Sequence, residues 1–165
     1  MFVDFGFPDN KDLASVINWF PHELNHQIYG NLNKDTARHA LEVCINEGFA
    51  VYVNKLYWNR IGRKKDYSVP MSLGYSEEEL AAAEQEWNFI LAYFKENYLS
   101  EDQNVKLSFG SRSVKLKENL PGAIGYLIGY KIVESYVEIY GQDSWKDIYT
   151  LSFEELLEKS ELLEQ

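Results

Sequence analysis

Apolar residues recur every three or four positions through most of this 165-residue chain, and this period predicts α-helices. The clearest case follows Pro121, which suits the first turn of a helix reaching about Tyr140. The positions expected to face inward there are Ile124, Leu127, Ile128, Ile132, Val133 and Tyr136. The sequence therefore indicates a mainly α fold, and its four Trp, twelve Tyr and nine Phe residues supply side chains for a buried core.

Two more helices are predicted in the first third of the chain. Asn10 is suited to cap the first one, Pro21 to bend it or restart it just before His22, and Gly30 to end it. The second is expected to begin after Asp35 or Thr36. The apolar positions of the first helix are Leu13, Val16, Ile17, Phe20, Leu24 and Ile28, and those of the second are Leu41, Ile45, Phe49 and Tyr52.

Capping boxes mark the other helix starts. Ser76 with Glu79 predicts a third helix reaching about Tyr98, and Ser152 with Glu155 predicts a short C-terminal helix. Between them, residues 100–119 have the weakest pattern. The alternating residues there, which predict a short strand, are Val105, Leu107 and Phe109. In all, residues 1–165 are expected to form one domain of about five helices with at most one or two short strands.

The charge and cysteine content exclude several classes of protein. A net charge of −10 argues against nucleic acid as a partner, because phosphate binding needs a basic field. The basic residues Arg60, Arg63, Lys64 and Lys65 are expected to form a solvated loop. One cysteine, Cys44, allows no intrachain disulfide and is expected to be buried. With no apolar run long enough to span a membrane and no signal peptide pattern, we expect a cytoplasmic chain, unless a targeting segment precedes it.

Residues 22–26 read His-Glu-Leu-Asn-His, which is the strongest chemical signal in the chain. On a helix, His22 and His26 lie on one face and both imidazoles can reach one metal ion. Glu23 points one step away, where it can contact a water bound to that metal. Because Zn²⁺ lowers the pKa of its bound water from about 15.7 toward 7, Glu23 is the expected general base.

A catalytic zinc needs a third protein ligand and one open position. Glu47 follows His26 by twenty-one residues, and an antiparallel second helix would bring it back beside the histidines. Glu42 is the rival carboxylate, while His39 lies too far along the chain for a histidine-ligated pattern. A bare pair of histidines at this spacing is usually structural, but the added glutamates favour a Zn²⁺ site made by His22, His26 and Glu47.

Residues 22–32 together with Asn46-Glu-Gly-Phe-Ala-Val-Tyr resemble the gluzincins, the zinc peptidases whose third ligand is glutamate. Locally they are similar to the alanyl aminopeptidase family, although the gap to the glutamate is two residues longer here and the Gly-Ala-Met-Glu-Asn segment of that family is absent. The segments beginning at Pro121 and Leu151 resemble a family of uncharacterised bacterial predicted zinc proteases, which includes relatives of a gliding-motility lipoprotein. The resemblance implies a zincin-like helical catalytic domain.

The same resemblance implies that a tyrosine of the fourth helix faces the zinc. A hydroxyl opposite the metal would stabilise the negative charge that develops on the substrate carbonyl. Tyr126 and Tyr130 lie one turn apart on one face, and Tyr130 is favoured over Tyr126, with a packing role open for each. The glycines Gly122, Gly125 and Gly129 are unusual in one helix, and either close approach to the metal-bearing helices or ordinary tight packing would explain them.

Two features depart from the gluzincin pattern. Only 21 residues precede His22, of which residues 2–7 could give one strand, so either the chain is the C-terminal part of a longer enzyme or substrate is held without a sheet. Val51 also stands where some gluzincins have an aspartate that orients a ligand histidine. The expected function is a zinc peptidase acting on a peptide or protein substrate. The alternatives are a zinc domain closed by a fourth protein ligand, and an acidic interaction module with a degenerate site.

Overall fold

The computed structural model describes residues 13–33, 35, 38–62 and 69–164. Over these residues it has eight α-helices, two short 3-10 helices and no strand. The α-helices are α1 (Leu13–Leu32), α2 (Ala40–Arg60), α3 (Val69–Leu73), α4 (Glu77–Gln85), α5 (Trp87–Asn97), α6 (Gln103–Gly110), α7 (Ile124–Tyr140) and α8 (Phe153–Lys159), and the 3-10 helices are Ser144–Tyr149 and Leu162–Glu164. The mainly α class is therefore confirmed, and the count of about five helices is wrong.

Helices α2 and α7 run parallel to each other through the centre of the core. Their contacts advance together along both helices, from Cys44 beside Gly125, through Gly48 beside Gly129, to Lys55 beside Glu134. All six positions predicted to face inward on α7 are buried. Cys44 is fully buried as well, as predicted.

Two glycines allow the close contact of α2 with α7. A Cβ atom at Gly129 would overlap the carbonyl oxygen of Cys44, and one at Gly48 would overlap the backbone of Gly129. Gly125 packs in the same way against Phe109 of α6. Of the two explanations considered for the glycines, close approach to a metal-bearing helix applies to Gly129, which contacts Cys44 of α2, whereas Gly122 precedes α7 and does not lie within it.

Helix α1 lies antiparallel to α2, as the predicted return of Glu47 to the histidines requires. Near the start of α1, the carbonyl of Asn18 accepts from Trp58 Nε1 near the end of α2 at 3.2 Å. Further along α1, His26 contacts Asn46 in the first half of α2. Tyr149 donates to Asn25 Oδ1 at 2.6 Å and fixes the middle of α1. The helix is continuous through Pro21, so of the two predicted effects of that proline the restart does not occur, and the helix ends at Leu32 and not at Gly30.

The face of α1 that is buried is not its apolar stripe. The large apolar side chains at Ile17, Phe20, Leu24 and Ile28 are all between 38% and 48% exposed. The buried positions lie on the other side and include His22, Asn25 and Tyr29. Helix α1 therefore turns its histidines, and not its regular apolar positions, toward α2.

Residues 103–110 form a helix and not the predicted strand. Asp102 caps α6 by accepting from the backbone N–H groups of Asn104 and Val105, which favours a helical first turn. Val105 and Phe109 then point inward at helical spacing, whereas Leu107 is 43% exposed. The alternation of apolar residues at 105, 107 and 109 therefore does not mark a strand, because the middle residue points away from the core of a short helix.

Several helix boundaries also differ from the prediction. The capping box of Ser76 with Glu79 is present, but the helix that it starts is interrupted at Glu86, between α4 and α5. Helix α2 begins at Ala40, later than expected. Helix α7 begins at Ile124 and not near Pro121, because Ala123 has the left-handed φ of 55°. The Ser152 cap on α8 is confirmed, since its hydroxyl accepts from the backbone of Glu155.

Some predicted features lie outside the described residues. These are the strand considered for residues 2–7, the cap at Asn10, the start of a helix at Thr36 and the basic residues at 63–65. Among the helices that are described, none is both long and apolar enough to cross a membrane.

Candidate metal site

The contact of α1 with α2 brings His22, His26 and Glu47 together. The Nε2 atoms of the two histidines lie 3.1 Å apart, and Glu47 Oε2 lies 3.4 Å from each of them. His22 is buried and the other two side chains are half-buried. In the part of the chain that the structure describes, these residues are the group of histidine, cysteine and acidic side chains whose ligand atoms converge as a metal site requires.

The spacing of the three ligand atoms fits a small tetrahedral cation. Bonds of about 2.0–2.1 Å to zinc at tetrahedral angles place the ligand atoms about 3.3–3.4 Å from one another. The observed separations are 3.1, 3.4 and 3.4 Å. Glu47 Oε2 is buried without a hydrogen-bond partner in the described structure. A carboxylate oxygen that makes no hydrogen bond but lies at ion-pair distance from two imidazole nitrogens is what a bound cation would satisfy.

The charges in the cluster act on its protonation. Burial lowers the pKa of His26, but the Glu47 carboxylate and the Asn46 side chain raise it by more, so the net pKa is raised. Burial raises the pKa of the Glu47 carboxyl, and the two histidines outweigh this and hold it well below its usual range. Glu47 is therefore ionised, as a metal ligand must be.

Asn46 orients one of the two ligand histidines. Its Oδ1 lies 3.0 Å from His26 Nδ1 and accepts the proton of the tautomer that leaves Nε2 free for a metal. The sequence analysis quoted Asn46 within its motif but gave it no role. Nδ1 of His22, by contrast, is buried without a hydrogen-bond partner in the described structure, and Val51, the residue standing where an aspartate was sought, is buried in the core.

Glu23 lies on the exposed side of the cluster. Its side chain is exposed, next in sequence to buried His22. It is close enough to be among the charges that act on His26 and Tyr126, although burial and Glu47 affect the pKa of both groups more strongly. Glu23 is therefore beside the cluster but is not one of its converging ligands.

Of the two candidate tyrosines, Tyr126 is the one beside the cluster. Its ring stacks on that of His22 with centroids 6.3 Å apart and an interplanar angle of 9°. Burial raises the pKa of the Tyr126 hydroxyl, and the facing Glu47 carboxylate raises it further. The hydroxyl therefore keeps its proton at neutral pH and is able to donate it in a hydrogen bond.

The hydroxyl of Tyr130 is directed elsewhere. It accepts from Lys55 Nζ and donates to Glu134, so it links α2 to α7 one turn beyond the cluster. Burial and the neighbouring Glu134 raise its pKa. The sequence favoured Tyr130 over Tyr126, whereas the structure brings Tyr126 to the histidines.

Arg112 holds Tyr126 from the other direction and was not singled out from the sequence. Its guanidinium carbon lies 4.8 Å from the centre of the Tyr126 ring, and its Nη2 donates to the carbonyl of Leu73 at 2.7 Å. The backbone at Gly122 passes so close to Arg112 that a Cβ atom there would overlap the arginine carbonyl. Arg112 lies in a segment whose sequence has little helical pattern, so nothing in the sequence indicated that its side chain contacts Tyr126.

The two rival ligands lie outside the cluster. Glu42 pairs with Arg38 Nη1 at 3.4 Å, and His39 Nε2 lies 3.6 Å from Glu154 Oε1. Neither joins the converging ligand atoms of His22, His26 and Glu47.

Comparison with known proteins identifies the family. The model of the family described as gliding motility protein GldB matches residues 19–162, which is most of the chain. The chain belongs to this GldB family. The matched region includes all three residues of the cluster together with Tyr126 and Arg112. The predicted link to a gliding-motility family is thereby confirmed. The description of the family refers to motility and does not mention peptide hydrolysis. No curated protein and no solved structure matches the chain.

Proposed function

We propose that this GldB-family protein is a zinc-dependent peptidase. The observation that carries the proposal is the convergence of two imidazole nitrogens and one ionised carboxylate at the separations of tetrahedral zinc ligands. The three ligands that the described residues supply would leave a fourth position for water, which is the arrangement of a catalytic zinc site.

The residues around the cluster supply the other groups that peptide hydrolysis needs. Zn²⁺ bound by His22, His26 and Glu47 would lower the pKa of a water and polarise the scissile carbonyl. The exposed Glu23 carboxylate accepts the proton of the attacking water and passes it to the leaving amine. The protonated Tyr126 hydroxyl donates a hydrogen bond to the carbonyl oxygen as negative charge develops there.

Two contacts keep this arrangement in place. Asn46 holds the His26 ring through Nδ1, and Arg112 packs on the ring of Tyr126. Both act through a neighbour and make no contact with substrate in this proposal. Preorganisation of this kind matters because a misplacement of about 1 Å can lower a rate a hundredfold.

Metal content and hydrolysis of a mixed peptide library test the proposal, on the purified protein and on Glu23→Gln. This substitution keeps the three ligands and removes the base. We expect one zinc per chain in both proteins and cleavage only by the parent. Zinc in both with cleavage in neither would favour the non-catalytic zinc domain. A lack of zinc in both would refute the metal site and favour the interaction module.

A further inference from the structure

The large apolar residues of α1 form a stripe on the side of the helix that is turned away from the core. They recur every three or four residues, so they share one side of the helix, and each is between 38% and 49% exposed. The apolar stripe of α1 consists of Ile17, Phe20, Leu24, Ile28 and Leu32. It is about 22 Å long, since a helix rises about 1.5 Å per residue. Contiguous apolar surface of this length marks an interaction surface.

The stripe lies on a stretch of helix with few charges. Between Ile17 and Leu32 the sequence has one acidic residue, Glu23, and no lysine or arginine, although the whole chain has a net charge of −10. Two copies of such a chain repel each other, and the repulsion is smallest where each copy presents few carboxylates. An anionic lipid surface would instead be recognised by basic residues beside the apolar ones. The charges therefore favour a second copy of this chain as the occupant.

The spacing of the stripe is suited to pairing with itself. Phe20 and Ile28 each lie four residues from Leu24, one on either side, and Ile17 and Leu32 lie seven and eight residues from it. If two copies of α1 pack antiparallel about a twofold axis at Leu24, each Phe20 meets Ile28 of the other copy and Leu24 meets its own equivalent. A large ring then faces a smaller side chain, and the dipoles of the two helices are opposed.

The exposed area of the stripe agrees with a reversible dimer. Five side chains of about 200 Å² each, nearly half exposed, present roughly 400 Å² of apolar surface per copy, or about 800 Å² in a pair. The exposed polar residues Glu23, Gln27 and Asn31 form a row beside the stripe and would add a polar rim. Stable interfaces bury about 1,200–2,000 Å² in total, so the stripe with its rim reaches the lower end of this range.

We propose that the apolar stripe of α1 is the contact surface of an antiparallel homodimer whose twofold axis passes at Leu24. The proposal does not depend on the proposed peptidase function. His22 and His26 lie on the side of α1 that faces α2, and the stripe lies on the opposite side, so the dimer and the metal site can be tested separately.

Sedimentation equilibrium tests the dimer on the parent, Leu24→Glu and Leu99→Glu. Leu99 is a matched control because it is 51% exposed and lies outside α1. We expect the parent and Leu99→Glu to dimerise with a Kd in the micromolar range or below. Leu24→Glu should dimerise about a hundredfold more weakly or worse, since it opposes two carboxylates at the axis. A monomeric parent would overturn the proposal and leave the stripe to another occupant, and equal dimerisation of Leu24→Glu would overturn it by placing the interface elsewhere.

Disulfide formation tests the antiparallel pairing, and the buried native Cys44 does not interfere with it. A disulfide requires Cα atoms about 4.4–6.8 Å apart. Under mild oxidation, Leu24→Cys should therefore form a covalent dimer, whereas Leu99→Cys should not. Phe20→Cys and Ile28→Cys should form one efficiently only when the two variants are mixed. Efficient dimer formation by Phe20→Cys alone would show parallel pairing and overturn the proposed arrangement.

Discussion

The ring of Tyr126 lies parallel to the ring of His22, with an interplanar angle of 9° and 6.3 Å between centroids. This contact between α7 and the metal-bearing helix α1 brings together two residues that are more than a hundred positions apart in sequence. It places the protonated hydroxyl group of Tyr126 beside the candidate ligands, whereas the hydroxyl group of Tyr130 binds Lys55 and Glu134.

Tyr126→Phe should remove the donor to the carbonyl oxygen and keep the ring. We expect kcat of peptide hydrolysis to fall by about 10²–10³, as loss of an oxyanion donor does elsewhere, with zinc affinity unchanged. Steady-state kinetics and zinc titration measure the two quantities. Tyr130→Phe is the control, because its hydroxyl binds Lys55 and Glu134 and not the cluster. A loss of activity confined to Tyr130→Phe would contradict the assignment.

Arg112→Gln should lower the same rate through the position of Tyr126. The guanidinium packs on the Tyr126 ring at 4.8 Å, and its removal lets the ring move. We expect a loss of up to about a hundredfold in kcat. In a Tyr126→Phe background the Arg112 substitution should have little further effect, since the two residues would act as one unit. Additive losses in the double variant would show that Arg112 acts independently of Tyr126.

Asn46→Ala should weaken zinc binding. It removes the acceptor 3.0 Å from His26 Nδ1, which fixes the orientation and tautomer of the ring. Loss of such a partner typically costs about 10–100-fold in metal affinity. Competition with a chromogenic chelator measures it. Asn97→Ala is a suitable control, because Asn97 donates to the Tyr93 carbonyl at 2.8 Å, a helix contact apart from the cluster. An equal loss of zinc affinity in both variants would point to general destabilisation.

Gly129→Ala should destabilise the fold. The added methyl group would overlap the Cys44 carbonyl and force α7 away from α2. Overpacking of this kind costs typically about 1–3 kcal/mol of the free energy of unfolding, which urea denaturation measures. Gly30→Ala is the matched comparison, since a Cβ at Gly30 on α1 meets nothing within 4 Å. That variant should be neutral or more stable by up to about 1 kcal/mol.

Cys44 should be unreactive in the folded protein. Burial raises the pKa of its thiol well above the usual range, so the thiolate is not formed at moderately alkaline pH. Raising the pH from 7 to 9 speeds labelling of an exposed thiol, whose pKa is about 8.5, but should not speed labelling of Cys44. Absorbance of released thionitrobenzoate gives the rate. In denaturant one thiol per chain should react at once, whereas fast native labelling would contradict the burial.

The amino-acid sequence by itself determined the features that depend on short separations along the chain. The spacing of His22 and His26 puts both imidazoles on one face of any helix that contains them. The caps at Ser76 and Ser152 were likewise readable, because each one requires only its own hydroxyl and a backbone N–H three residues on. Glu47 was found because its position follows from the return of one helix along its neighbour.

Only the tertiary structure decided which residues meet across helices. Tyr126 and Tyr130 share one face of α7, and the parallel packing of α7 on α2 brings the first to Glu47 and the second to Lys55. The same applies to α1, whose stripe at Ile17 and Phe20 is exposed while His22 is buried. Periodicity states that a helix forms, but packing against partners distant in sequence selects the face that it buries. Those contacts are not encoded in any short segment, so they become visible only in the folded chain.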